Sequence, residues 1–364
     1  MAHGKNDGLA TLVNFYSCTQ ALKMWNRLVG CLLAFGLCGC VARKEDAAVL
    51  YCASDREYAA PILDAYERVN PGTEVVRQFD VEASKTLGLV TRIEKEKTQP
   101  RCDVFWNNEI LHTIRLQKQG LLQPRRWSIP SDWPKGYRAK DGTWIGFAAR
   151  ARVLLVNTEK LGDDPAGWPS RVSELADAKW KGKCGLAFPI YGTTATHMAV
   201  LATTKNALDD SGDWDSWITD VKSNGVVLAG NKQVALAVAS GELDWGLTDT
   251  DDAIIEKENG KPVAMVFPDQ YDGGFGTLFL PNTLAVIHKS PHPIAAGSLV
   301  DYLSSEKIES RLTLSSSAHF PLWPTSREES RIDIDGIRWA EVDFERTADS
   351  WEKTRDKLLQ VFQQ

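Results

Sequence analysis

Asp249, Asp251 and Asp252, packed into four consecutive positions, form the densest carboxylate cluster in the chain beyond residue 40. Hard cations take oxygen ligands, and carboxylates supply charge as well as coordination, so this run is a candidate cation site. Acidic residues at a helix start are also routine caps and dipole partners, and that role stays open beside the first. A second run, Gly192-Thr193-Thr194-Ala195-Thr196, opens a predicted helix. Free N–H groups, the positive dipole end and three hydroxyls there suit an anion, whereas plain capping needs only one threonine. Ser54, Asp55 and Arg56 follow the first predicted strand, and Asn107, Asn108 and Glu109 follow the third. Arg56 can grip an anion bidentately or neutralise Asp55 or Glu57. Tyr58, Tyr191 and Tyr271 are phenols near these loops, with packing as their main expected role. His197 reads as a core histidine that could also ligate, and Trp106 as a wall of any cleft.

The elements that must hold these groups alternate strand and helix. Ala48–Cys52, Glu74–Phe79 and Asp103–Trp106 are predicted strands, with helices over Ala60–Val69, Ser84–Lys97 and Ile110–Gln119 between and after them. Asn70-Pro71-Gly72 stops the first helix. A Pro- and Trp-rich loop, 124–142, leads to a long strand over Trp144–Val156. The alternation then resumes with strands at Gly185–Phe188, Val226–Leu228 and Leu243–Leu247 and helices at Thr194–Thr204, Trp214–Ser223 and Lys232–Ser240. Thr277–Ile287 reads as a returning strand, followed by helices at Ala295–Ser304, Glu306–Leu314 and Ser350–Phe362. Such a pattern predicts an α/β protein with mainly parallel sheets flanked by helices, its two domains interwoven.

Of the 364 residues, 43% are hydrophobic and 25% charged, as in ordinary soluble globular proteins. Arg27 precedes an apolar run that ends at Leu37-Cys38-Gly39-Cys40, after which the chain turns charged. This is an export-signal pattern, too short to span a bilayer as a helix. The four residues look like a bacterial lipobox, which implies cleavage before Cys40 and a lipid on its sulfur. Met24 is a second candidate start. Removing residues 1–40 takes away Lys5, Lys23, Arg27 and Asp7 and moves the net charge from −6 to −8. That balance argues against nucleic acid as a partner. Cys52, Cys102 and Cys184 remain, without metal-type spacing, and are expected as buried free thiols. No GxSxG elbow, HExxH, P-loop or dinucleotide turn occurs, so a secreted hydrolase is a minor reading and no catalysis is expected.

Several segments in order resemble the periplasmic iron(III)-type solute-binding proteins of ABC importers. They include Cys102-Asp-Val-Phe-Trp-Asn-Asn-Glu109, Gly120-Leu-Leu-Gln-Pro124, Trp180-Lys-Gly-Lys183, Gly246-Leu-Thr-Asp-Thr-Asp-Asp252 and Pro281-Asn-Thr-Leu-Ala-Val286. The resemblance covers roughly residues 48–325. It implies a two-lobed periplasmic binding protein fold of the class II type. It implies a signal region at 1–39, a lipid-anchored linker at 40–47, a first lobe from 48–146 and 281–364, and a second lobe from 147–280. It further implies ferric iron as cargo with a synergistic anion, no catalytic cofactor, an inner-membrane ABC permease as partner, and a monomer lipid-anchored in the cell envelope. Ser54, Asp55, Arg56, Asn107, Asn108, Glu109, Thr193, Thr194, Thr196, Asp249 and Asn282 are the expected ligand-binding residues, and Asp251 and Asp252 the expected metal ligands. The sequence departs from that family where an adjacent tyrosine pair usually holds the metal, reading Asp251-Asp252 instead. It also has Asp55-Arg56 where a histidine is usual. A binder of a phosphonate or carboxylate compound fits these departures too, and a periplasmic sensor module handing its ligand to a membrane receptor is a further alternative.

Overall fold

The computed structural model describes residues 47–80, 86–208 and 213–363, and Cys40 with the predicted export segment lies outside them. The nine strands among these residues are β1 (Ala47–Cys52), β2 (Glu74–Phe79), β3 (Val104–Asn107), β4 (Trp144–Asn157), β5 (Cys184–Ala187), β6 (Val226–Leu228), β7 (Trp245–Asp249), β8 (Val263–Val266) and β9 (Phe279–Val286). They run in the order β2-β1-β3-β9-β4-β7-β5-β6, with β8 beside β4. Pairing is parallel among β1, β2 and β3 and among β5, β6 and β7. The exceptions are β4 and β9, which run antiparallel to their neighbours.

Strand β4 joins the two halves of this curled sheet. Its first part, Trp144 to Ala151, pairs with β9, and its last part, from Arg152, pairs with β7 and β8. All fourteen of its residues are buried. The register with β9 slips at one place: Phe147 faces Asn282 while Ala149 faces Pro281, leaving Ala148 as an extra residue at φ 44°. This is a β-bulge.

The helices that matter for the site begin at strand ends. Helix α1 (Arg56–Val69) follows β1 and stops at Asn70, whose Nδ2 donates to the Tyr66 carbonyl at 2.9 Å. Helix α2 (Leu87–Lys95) precedes β3, and α3 (Leu111–Lys118) follows it. Helix α4 (Gly192–Thr203) opens on Gly192 at φ 54°, a left-handed conformation that glycine adopts without steric cost. Helices α5 (Trp214–Asn224), α6 (Asn231–Ala239) and α7 (Thr250–Glu258) complete that half. Close packing of α6 on β7 requires Gly246, because a Cβ there would come within 2.5 Å of Val234.

Helices α8 (Pro293–Leu303) and α9 (Glu306–Leu314) return to the first half of the sheet. The last helix, α10 (Phe344–Phe362), starts six residues before the predicted position, capped by Asp343, which accepts from the Arg346 N–H. It straps the two halves together. Trp351 meets His112 of α3 at 5.3 Å between centroids, and Thr347 shares a hydrogen bond with Thr203 of α4. Cys52, Cys102 and Cys184 are buried free thiols. Among the described residues no helix is long and apolar enough to cross a membrane.

Candidate binding cleft

A cleft of about 490 Å³ opens between the two halves of the sheet. Four helix N-termini point their first residues at it: Arg56, Glu57 and Tyr58 of α1, Gly192, Thr193 and Thr194 of α4, Asn231 and Lys232 of α6, and Asp251 and Asp252 of α7. Asp55, Asn108, Arg150, Tyr191 and Asp249 complete the polar lining. The peptide dipoles thus place partial positive charge at four points of one small volume, a setting that attracts anions. The side chains add both signs, with Asp55, Glu57, Asp249, Asp251 and Asp252 against Arg56, Arg150 and Lys232. At its mouth Lys232 approaches Glu57 at 4.0 Å, an exposed pair that joins the two halves.

The three aspartates offer carboxylate oxygens within 4.8 Å of one another, close enough to share a cation. Their roles differ, however. Asp249 is held by the fully buried Arg152 at 2.6 Å and accepts from the Thr193 hydroxyl at 2.6 Å and Asn231 Nδ2 at 2.9 Å. Arg152 also donates to the Thr193 and Thr194 hydroxyls, to Asn231 Oδ1 and to His197 Nδ1. Thr194 spends its own proton on Asn231 Oδ1. The threonine hydroxyls predicted as anion donors are therefore engaged in a buried network, and what α4 offers a ligand is its backbone N–H groups.

Asp251 faces Arg150, whose Nε lies 3.6 Å from its Oδ2. Burial works against the Arg150 charge, but Asp251, Asp249, Asp55 and Asp252 raise its pKa above the ordinary value. One face of this guanidinium is anchored: Nη2 donates to His319 Nε2 at 2.7 Å and to Asn282 Oδ1 at 3.3 Å. His319 can accept because burial and the neighbouring Arg150 push its pKa well down and keep it neutral. The Nε–H has no hydrogen-bond partner among the described residues. It is a buried donor at the cleft wall.

Of the predicted ligand residues, Asp55, Arg56, Asn108, Thr193, Thr194, Asp249, Asp251 and Asp252 line the cleft. Ser54, Asn107, Glu109, Thr196 and Asn282 are buried and are not among the lining residues. Asn107, Glu109 and Thr196 satisfy one another behind the wall, and Asn282 is engaged by the backbone and by Arg150. Glu109 accepts from Asn107 Nδ2 at 2.7 Å, from the Thr196 hydroxyl at 2.7 Å and from the His112 backbone. Asn282 holds Arg150 and, at 2.6 Å, the Ala148 carbonyl. Trp106 packs on Phe147 at 5.4 Å rather than forming a wall, and Tyr271 stacks under Arg171. Tyr58 does reach the cleft, but burial, Asp251 and Glu57 raise its pKa, so its phenol keeps its proton. His197 is a core histidine against Arg152.

Glu109 and Thr196 bridge the two halves of the fold, and because the acceptor is a carboxylate their bond is sensitive to pH. Burial opposes the Glu109 charge, yet His112, Thr196 and Asn107 together hold its carboxyl below the usual range. A lowered folded pKa adds stability above the unfolded value, and this is lost as pH falls through the folded value. Glu109→Gln is therefore expected to lower the melting temperature at pH 7. That deficit shrinks once the pH drops below about 4, which melting curves of both proteins across pH 3.5–7 will read. An equal deficit at every pH would contradict a role for the charge.

Arg150 and Arg152 are not among the site residues expected from sequence. The available signal was Arg-Ala-Arg inside an otherwise apolar strand, which puts two cations on one face.

The family described as bacterial extracellular solute-binding protein matches residues 112–344. Iron uptake protein A1 of Synechocystis sp. is 28% identical over 262 residues, 67% of this chain and 70% of that protein. The Fe(3+)-binding periplasmic protein of Serratia marcescens is 25% identical over 216 residues, 59% of this chain and 60% of that protein. Among solved structures, iron-bound HitA from Pseudomonas aeruginosa superposes with a TM-score of 0.74 at 22% identity, covering 86% of this chain and 99% of that one. AfuA from Actinobacillus pleuropneumoniae, with exogenous fructose-6-phosphate bound, gives 0.72 at 20%, covering 87% and 99%. These structural likenesses establish a two-lobed periplasmic binding protein fold.

Proposed function

The chain belongs to the bacterial extracellular solute-binding proteins, and from that premise we propose that it is the cargo-capturing component of an ABC importer. Its two lobes close on ferric iron or a chemically related ligand. The observation that carries this reading is the meeting of three carboxylates and four helix N-termini in one cleft. Asp251 and Asp252 act as oxygen ligands to the metal, while Asp249 stays tied to Arg152. A companion anion takes the positive dipole ends together with Arg56 and Arg150. Iron as cargo is supported by the relatives named for iron uptake and Fe(3+) binding.

Binding favours the closed arrangement, and the inner-membrane permease recognises closure. The protein performs no catalysis. It works in the periplasm, tethered by a lipid on Cys40.

One observation favours a second reading, in which the cargo is itself a small phosphonate, phosphate ester or carboxylate. Asp249 and Asp251 each sit against a buried arginine, which competes with any metal for their oxygens. AfuA carries fructose-6-phosphate on the same fold.

Native mass spectrometry of protein purified without chelator, with thermal shifts against ferric citrate, inorganic phosphate, a phosphonate and fructose-6-phosphate, separates the two. The iron reading expects a bound iron and stabilisation by about 2.7 kcal/mol at a ligand concentration a hundred times Kd. A metal-free protein stabilised only by an organic anion would replace it with the second reading. Stabilisation by none of these probes would overturn both.

A further inference from the structure

The bulge in β4 decides which way the cleft arginines point. Side chains alternate along a strand, so a one-residue insertion moves everything after it to the opposite face. Ile145 and Phe147 share a face with their partners Leu284 and Asn282. Because Ala148 is extra, the next residues on that face are Arg150 and Arg152 rather than Ala149 and Ala151. The contact of Arg150 Nη2 with Asn282 Oδ1 on that face bears this out. An unbulged β4 would present two alanines to the ligand side and turn both arginines away.

Ala148 does not favour the bulge by itself. It lies at φ 44°, where an alanine is disfavoured relative to glycine. Its polar groups are met by residues far along the chain. The carbonyl accepts from Asn282 Nδ2, and the N–H donates to a carboxylate oxygen of Glu309 in α9. The other Glu309 oxygen accepts the Trp323 N–H at 2.6 Å, and Ala149 exchanges two backbone bonds with Phe320. Glu309 is 1% exposed, outside the cleft, and part of no other site. Burial pushes its carboxyl up to about 7, against the pull of the backbone donors of Ala148, Trp323 and Leu322.

We propose that Glu309 is a positioning residue for ligand capture: by clamping the Ala148 bulge it sets the face on which Arg150 meets the cargo. The inference rests on the proposed function only for what Arg150 touches, and its test needs no ligand. The Nε–H signal of Arg150 and the Ala148 amide are followed in uniformly nitrogen-labelled, ligand-free full chain, the former assigned with Arg150→Lys. Glu309→Ala is expected to speed exchange of the Ala148 amide by about tenfold and to displace the Arg150 signal. Adding Ala148→Gly, which adopts the bulge conformation without steric cost, returns the Arg150 signal toward its wild-type position. A purely structural Glu309 predicts a lower melting temperature with the Arg150 signal unmoved, and that result overturns the proposal. If Glu309→Ala does not fold, Glu309→Asp draws the carboxylate back by one methylene, and an unmoved Arg150 signal there overturns it equally.

Discussion

Replacing Arg152 by methionine lowers the melting temperature by roughly 10 °C, from a loss of about 3–5 kcal/mol. The guanidinium is fully buried and hydrogen-bonds to Asp249, Thr193, Thr194, Asn231 and His197. Methionine fills much of the volume but leaves the buried Asp249 carboxylate hydrogen-bonded only by the neutral Thr193 and Asn231. The cost comes from that stranded charge more than from the lost hydrogen bonds, since a buried pair removed as a whole is often nearly neutral. The double variant Arg152→Met with Asp249→Asn is therefore more stable than the single one, with a coupling of about 2 kcal/mol in a double-mutant cycle. Differential scanning calorimetry of the four proteins measures it. Additive single effects would show that the two charges do not depend on each other.

That network also shows where reading the sequence stops. The strand–helix alternation was legible because short apolar runs and amphipathic stretches are local signals, and Glu74–Phe79, Val226–Leu228 and Glu306–Leu314 fall at the predicted boundaries. The short β8 is not legible in the same way, since four residues beside Pro262 carry little periodicity. The strand ends bearing Asp55, Asn108, Thr193 and Asp249 were legible as well, because open α/β sheets present ligand loops there. Side-chain direction was not. Glu109 and Asn282 stand in cleft-like positions in the chain yet turn into the interior, as partners such as Thr196 and Arg150 come from segments 87 and 132 residues away. The parity of β4 depends on Glu309 and Asn282 supporting one alanine, and no local pattern around Ala148 records that.

The same arginines give the cargo question its sharpest test. In the double variant Asp251→Asn with Asp252→Asn, iron binding should fall by at least about a hundredfold, because a hard trivalent ion loses two anionic oxygen ligands. For an anionic cargo the sign reverses. Asp251 lies 3.6 Å from Arg150 Nε, so neutralising it releases that guanidinium and removes like charge from the cleft. Affinity for phosphate or a phosphonate should then hold or rise a few-fold. Isothermal titration at fixed ionic strength reads both arms on one pair of proteins. Asp251 is 5% exposed, so its neutral replacement must first be shown to melt close to wild type. Unchanged iron affinity in a properly folded variant would exclude Asp251 and Asp252 as ligands. A matching loss for iron and for anions would instead mean that the aspartates act on closure itself, holding the lobes in the geometry that either cargo needs.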